Sequence, residues 1–254
     1  MDPETTFALA ATVGDREGAL TDKLRMLLPR VVDRFGEVAV QGTSVTHEDV
    51  VDALFANGVR LERARPDTNL IGLHRRNALA LALATSKADR VVYMDLDHLL
   101  RWVENDEDEL TRVLEQSRAW DCTVIGRAPA SFAMLPERLA ATERIVNHIY
   151  ELMTGRPWDL MMAARSLSRD AARSIVESCR VDTIGNDVAW PLHCEAHGST
   201  VGYIEAEGLT YRTNIDYAED LADTRDRDPT SWAHRVLLAG QHVEAMLPYM
   251  DRAR

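Results

Sequence analysis

The chain has 254 residues, 46% of them hydrophobic, enough to bury one sizeable core and with no linker that demands a second domain, so residues 1–254 read as a single α/β domain. Its 41 acidic residues against 29 basic ones leave a net charge of -12, which repels a phosphate backbone and sets nucleic acid aside as a partner. Cys122, Cys179 and Cys194 are too scattered for a zinc site or a disulfide framework, Ala78 to Ala84 is too short to span a bilayer, and Met1-Asp2-Pro3-Glu4 has no leader character, so the expectation is a cytoplasmic protein with reduced thiols.

Phe7 to Val13 is apolar and reads as a strand, closed by the turn cluster Gly14-Asp15-Arg16-Glu17-Gly18. Leu20, Leu24, Leu27, Leu28 and Val31 then share one helical face. Glu37 to Gln41 reads as a second strand, ending in Gly42-Thr43-Ser44. Thr46, with Asp49 three residues on, is the expected cap of a helix whose apolar face is Val50, Val51, Leu54 and Phe55. Val59 to Leu61 is a short strand. Leu70 to Ala84 alternates Ala and Leu, but both are strong helix formers and the run is long, so it reads as a helix. Val91 to Asp95 is a buried strand. Downstream come a strand at Asp121 to Ile125, a helix over Pro136 to Leu152, a strand at Asp159 to Ala164, and helices over Ser168 to Val176 and Asp187 to His197. Late strands, antiparallel additions to the sheet, are expected at Val201 to Ile204 and Gly208 to Arg212. Asn214 to Pro229 reads as a polar loop, and a last helix is expected to return Trp232, Val236, Leu237, Val243 and Leu247 to the core. No internal repeat is present.

Strands alternating with amphipathic helices imply a mostly parallel sheet flanked by helices, whose ligands gather beyond the carboxyl ends of the strands. The turns around Asp15, Thr43 and Asp97 therefore converge on one crevice. The most informative stretch is Val91-Val92-Tyr93-Met94-Asp95-Leu96-Asp97-His98, an apolar strand ending in two carboxylates one residue apart. On an extended backbone Asp95 and Asp97 share a face, and two converging carboxylates favour a divalent cation such as Mg²⁺ or Mn²⁺. The structural reading is a pair of solvated acids capping the next helix.

The order of these pieces resembles the nucleotide-sugar-dependent glycosyltransferases of the GT-A fold. The resemblance runs from about residue 7 to residue 212. It rests on Ala10-Ala11-Thr12-Val13-Gly14-Asp15-Arg16-Glu17, where such enzymes cradle the nucleoside, and on Gly72-Leu73-His74-Arg75-Arg76-Asn77, similar to a Gly-x-x-x-Arg-Asn helix start. It rests also on Asp95-Leu96-Asp97, and on Gly185-Asn186-Asp187, where the family often has an acidic residue facing the acceptor. The finer likeness is to the mannosylglycerate synthase and glucosyl-phosphoglycerate synthase branch. The chain lacks the family's Pro-x-Tyr-Asn wording on the first strand, and Tyr211 stands where a late metal-binding His is usual.

The resemblance implies transfer of a sugar from a nucleoside-diphosphate sugar to a hydroxyl on a small molecule or glycan, in a single GT-A-like domain that leaves room for a homodimer. It implies donor contacts from Thr12, Asp15, Arg16, Thr43, Arg76 and Asp95, a Mg²⁺ or Mn²⁺ ion on Asp95 and Asp97, and Asp187 on the acceptor side. Asp187 would be a general base if configuration inverts and a positioning group if it is retained. Each has a plainer reading: Arg76 as a solvated first-turn residue, with Arg75 its more solvated neighbour, and Asp187 as a helix cap. Trp158 suits a sugar face or core packing. His193 and His197 share a helical face, but Glu195 is misplaced for a His-Glu-x-x-His zinc site. Two rivals remain: a haloacid-dehalogenase-like phosphatase, in which the first Asp of Asp-x-Asp attacks phosphorus, and a GT-A-shaped protein that binds a nucleotide without catalysis.

Overall fold

Phe7–Val13 forms β1, whose alternation sends Leu9, Ala11 and Val13 into one apolar cluster and Ala10 into a second cluster on the other face. The structure, a computed structural model, describes residues 6–211 and 225–250. After β1 the order is α1 (Thr21–Phe35), β2 (Glu37–Thr43), α2 (Glu48–Ala56), β3 (Arg60–Ala64), α3 (Ile71–Thr85), β4 (Arg90–Asp95), α4 (Leu96–Gln116) and β5 (Cys122–Arg127). There follow α5 (Pro129–Ala133), α6 (Glu137–Thr154), β6 (Ala164–Ser168), α7 (Arg169–Ser178), α8 (Asn186–Ala196), β7 (Val201–Ala206) and α9 (Pro229–Met250).

One seven-stranded sheet runs β3-β2-β1-β4-β6-β5-β7. β1 is parallel to β2 and β4, β2 to β3, and β5 to β7; β6 runs antiparallel to both β4 and β5. Helices cover both faces. Leu24 and Leu28 of α1, Leu54 of α2 and Leu99 and Trp102 of α4 fill one core, while Leu79 of α3, Tyr150 of α6, Ile175 of α7, Trp190 of α8 and Met246 of α9 fill the other. No helix among the described residues is long and apolar enough to cross a membrane.

Most expected elements are present, and the departures have local causes. The strand expected at Asp159 to Ala164 starts only at Ala164, because Arg127 draws Asp159 out of the ladder: its backbone N–H (3.1 Å) and Nε (2.7 Å) both donate to Asp159 Oδ2. The chain then turns at Ala163, whose φ is 52°. The late antiparallel strand is this β6; the strand at Val201 is instead parallel to β5. Gly208 makes no strand either, since its N–H donates to Glu109 (2.7 Å) and Trp102 packs on its Cα; Arg212 lies outside the described residues. Residues 214–224 of the expected polar loop lie outside them as well. Thr46 turns inward toward Thr43, and α2 is capped by His47, whose Nδ1 accepts from Asp49 N–H (3.2 Å). Phe55 is exposed, as are Val236, Leu237 and Leu247 of α9, which instead buries His242, Ala245 and Met246.

Candidate functional site

The register of β1 against its two neighbours sets Thr12 beside Gln41 of β2 and Asp95 of β4, so three strand ends open on one space. There a cavity of about 690 Å³ is lined by Thr12, Asp15, Arg16, Thr43, Asp95 and Asp97, together with His74 and Arg75 from the first turn of α3. A second cavity, of about 220 Å³, shares Arg75 and Asp95 with the first and continues to His98, Arg127, Asp187, Tyr211, Arg235 and His242. Both volumes together suit a small ligand held across a shared wall.

Asp95 is the centre of that wall. Its Oδ1 accepts from Thr12 Oγ1 (2.7 Å) and Tyr93 Oη (2.5 Å), and its Oδ2 from an Arg75 N–H (2.7 Å). Burial works to raise the Asp95 pKa, but the Arg75 guanidinium with the Tyr93 and Thr12 hydroxyls lowers it from 3.8 to about 2. Burial, with the Asp95 charge adding to it, pushes the Tyr93 hydroxyl well above its ordinary value, so Tyr93 stays a donor. Arg75 is only 5% exposed and also donates to Asp187 Oδ1 (2.7 Å) and Asn186 Oδ1 (3.1 Å). Its Nε has no partner among the described residues. Burial weakens the guanidinium charge, but Asp187 and Asp95 override it and raise the Arg75 pKa.

Asp97, in the first turn of α4, faces its own arginine: Arg101 donates to Asp97 Oδ2 (2.5 Å) and to the backbone oxygen of Tyr211 (2.6 Å). His98 Nε2 lies 3.5 Å from the same carboxylate oxygen, and burial lowers the His98 pKa. The two carboxylates expected to meet on one cation line the same cavity, and each is bound by a separate guanidinium. Among the described residues no group of three or more His, Cys, Asp or Glu could hold a metal. A cation on Asp95 would compete with the Arg75 guanidinium for the same carboxylate. Among the described residues the donor set does not make a preformed divalent site.

The remaining predicted residues divide in two groups. Asp15 is spent on its turn, with Oδ1 accepting from Gly18 N–H (2.9 Å) and Oδ2 from Leu20 N–H (2.8 Å), which shapes the cavity mouth. Thr43 is held by Thr46, Oγ1 to Oγ1 at 3.2 Å. Arg16 is exposed on the cavity rim and has no hydrogen-bond or ion-pair partner among the described residues. Arg76 lies elsewhere: 7% exposed, it donates to Cys179 O (3.0 Å) and Asp182 Oδ1 (2.5 Å), and so ties α3 to the approach of α8. Helical spacing alone cannot decide which of two adjacent arginines faces a cavity. Here it is Arg75, the one expected to be solvated.

Asp187 reaches the smaller cavity but is 3% exposed. Its Oδ1 is held by Arg75 and its Oδ2 faces His242 Nε2 at 3.2 Å. Burial pushes its pKa up, but Arg75 and His242 bring it below the ordinary value. Beneath it Arg165, 1% exposed, donates to the Asp187 backbone oxygen (2.6 Å). Sequence reasoning missed Arg101, although Asp97 and Arg101 are an i, i+4 pair on a helix and so visible by spacing. It also missed Arg165 and His242, for which no local signal exists. Trp158 is packed between Tyr203 (5.3 Å, nearly parallel) and Tyr150 (6.1 Å), and His193 is hydrogen-bonded to Ser174 Oγ (3.0 Å), with no third metal-ligating group beside it among the described residues.

A mostly parallel sheet, one reversed strand and a cavity at the carboxyl ends of β1, β2 and β4 define a GT-A-like fold. No family model matches the chain, and no curated protein matches its sequence. Among solved structures, glucosyl-3-phosphoglycerate synthase from Mycobacterium tuberculosis, crystallised with Mn²⁺, UDP-glucose and phosphoglyceric acid, superposes with a TM-score of 0.57 at 13% identity, covering 98% of this chain and 80% of that one. The same enzyme with phosphoglyceric acid alone gives 0.54 at 13% identity over 96% and 80%. A structure described only as a mycobacterial protein gives 0.58 at 14% identity over 96% of this chain and 74% of that one. The chain thus has the fold of a metal-dependent glycosyltransferase.

Proposed function

We propose that the chain transfers a glycosyl group from a nucleoside-diphosphate sugar to a hydroxyl of a small acidic acceptor. The observation that carries this reading is the pair of cavities that meet at Arg75 and Asp95 beyond the carboxyl ends of the parallel strands. The larger suits a nucleoside diphosphate. The smaller suits an acceptor bearing a carboxylate or phosphate: it is lined by Arg75, Arg127 and Arg235, and the Nε of Arg235 and the Nδ1 of His98, two of its lining residues, are buried without partners among the described residues. A buried unpaired donor costs about 1–3 kcal/mol, which an anionic ligand would recover. The mycobacterial synthase, crystallised with UDP-glucose and phosphoglyceric acid, supports the same pairing of ligands.

In this reading Asp187 positions rather than abstracts a proton, because both of its oxygens are held and its pKa is depressed. The phosphatase alternative is weakened by Asp95, whose two oxygens are both engaged and which ends the fourth strand in the chain, a poor arrangement for a phosphorus nucleophile. Thermal unfolding with UDP- and GDP-sugars tests the proposal. At a hundredfold excess over the dissociation constant the true donor stabilises by about 2.7 kcal/mol, a shift of about 5–10 °C for a chain of this size. Sugar transfer to glycerate or phosphoglycerate should then be seen by mass. Donor binding without turnover on any acceptor would favour the non-catalytic reading.

A further inference from the structure

Every carboxylate on the wall of the larger cavity already has a donor. Asp15 is held by Gly18 and Leu20 N–H, Asp67 by Asn69 N–H (2.9 Å), Asp95 by Thr12, Tyr93 and Arg75, and Asp97 by Arg101. The groups left wanting are nitrogens. His74 has both ring nitrogens buried without a partner, and one of them carries a hydrogen even in the neutral ring. Arg75 keeps a buried, unpaired Nε–H, and Arg16 stands exposed on the rim with its whole guanidinium free among the described residues. Carboxylates that each already hold a donor, beside buried nitrogens that lack a partner, are the chemistry of an anion site. A cation site would show the reverse.

We infer that this cavity holds a diphosphate through Arg16, His74 and Arg75, and that it does so without a divalent cation. The inference rests on the reading of the cavity as the donor site, and it differs from the Mn²⁺-loaded relative in what neutralises the ligand. Two guanidinia meet the phosphate charge: Arg75, anchored on Asp95 and Asp187, is preorganised for it, and Arg16 reaches it from the exposed rim. A metal arriving at Asp95 would have to compete with the Arg75 guanidinium already seated on that carboxylate.

Equilibrium binding of UDP, GDP and inorganic pyrophosphate to the full chain, in EDTA and then in Mn²⁺, tests this without reference to activity. At least one of the three should bind in EDTA with an affinity within about threefold of that in Mn²⁺. Arg16→Ala, a change at an exposed side chain, should weaken that binding about tenfold, and His74→Ala should weaken it as well. The electron paramagnetic resonance signal of free Mn²⁺ should be undiminished by the protein with UDP present beyond what UDP alone removes. Binding that is tenfold or more tighter in Mn²⁺, or protein-dependent loss of the free Mn²⁺ signal that Asp97→Ala abolishes, overturns cation independence and leaves the donor site standing. Failure of all three ligands to bind under either condition overturns both.

Discussion

Asp95 is a strand-terminal carboxylate whose three partners come from three elements, and its acidity is a property of those partners. Its pKa is depressed from 3.8 to about 2, so the unfolded chain binds its proton first. The resulting stability is present above the unfolded value and is lost as pH falls through about 2. For one residue the amount is about 2 kcal/mol. Urea unfolding of the wild type and of Asp95→Asn should therefore show a stability gap that narrows by about that much between about pH 4 and pH 2. A gap that stays constant over this window would remove Arg75 and the hydroxyls as the cause. The aspartate pair itself, and its place at a strand end, were legible in the chain. Its partner was not, because Arg75 and Arg76 are neighbours of identical chemistry, and only the docking of α3 decides which one turns toward Asp95.

That docking belongs to α3 as an element. Gly72 in its first turn lies against backbone: a Cβ there would come within 2.3 Å of Thr183 O and 2.7 Å of Val181 O. Leu73 N–H donates to Asp182 O (3.0 Å), and Arg76 clamps the same segment through Cys179 O and Asp182. The helix can thus approach residues 181–183 only where it has no side chain. Gly72→Ala should lower stability by about 1–3 kcal/mol, since backbone rather than a flexible side chain must give way. It should also weaken donor binding, because Arg75 is three residues along the same helix. An unchanged urea midpoint would show that the segment yields freely. Elsewhere the elements were readable where period and punctuation agreed, as in β1, α1 and β4. They were misread where a buried ion pair outranked local propensity: the Arg127–Asp159 pair, inaccessible to any pattern in 159–164, moved β6 onward to Ala164.

At the scale of the molecule the sheet has two parts, β3-β2-β1-β4 and β6-β5-β7, joined by the antiparallel β4–β6 ladder. Arg90 of β4 reinforces the seam, donating to Ser166 Oγ (3.2 Å) and to Trp120 O (2.8 Å). Each apolar cluster also runs across it, with Val92 and Ile125 in one and Val91 and Val124 in the other. A seam buried on both faces predicts one cooperative unit. Trp102 lies in one apolar cluster and Trp190 in the other, so fluorescence reports tertiary packing on both faces of the sheet while far-ultraviolet circular dichroism reports the helices. Their urea midpoints should coincide to within about 0.2 M. A fluorescence transition that precedes the loss of helix would show that the sheet does not unfold as one unit.

The amino-acid order by itself determined the alternation of strands and helices, the reversal of hydrophobic faces along β1, and the gathering of the turns at Asp15, Thr43 and Asp97 beyond one sheet edge. These follow from periodicities that act within a few residues. Tertiary structure alone decided what those turns present to a ligand. The pairing of Asp95 with Arg75, of Asp97 with the backbone-anchored Arg101, and of Asp187 with His242, 55 residues on, depends on where whole helices settle. An ionisable side chain takes its charge state and its free valence from neighbours brought by packing. A pair of aspartates that reads as a cation clamp along the chain can therefore fold into the wall of an anion site.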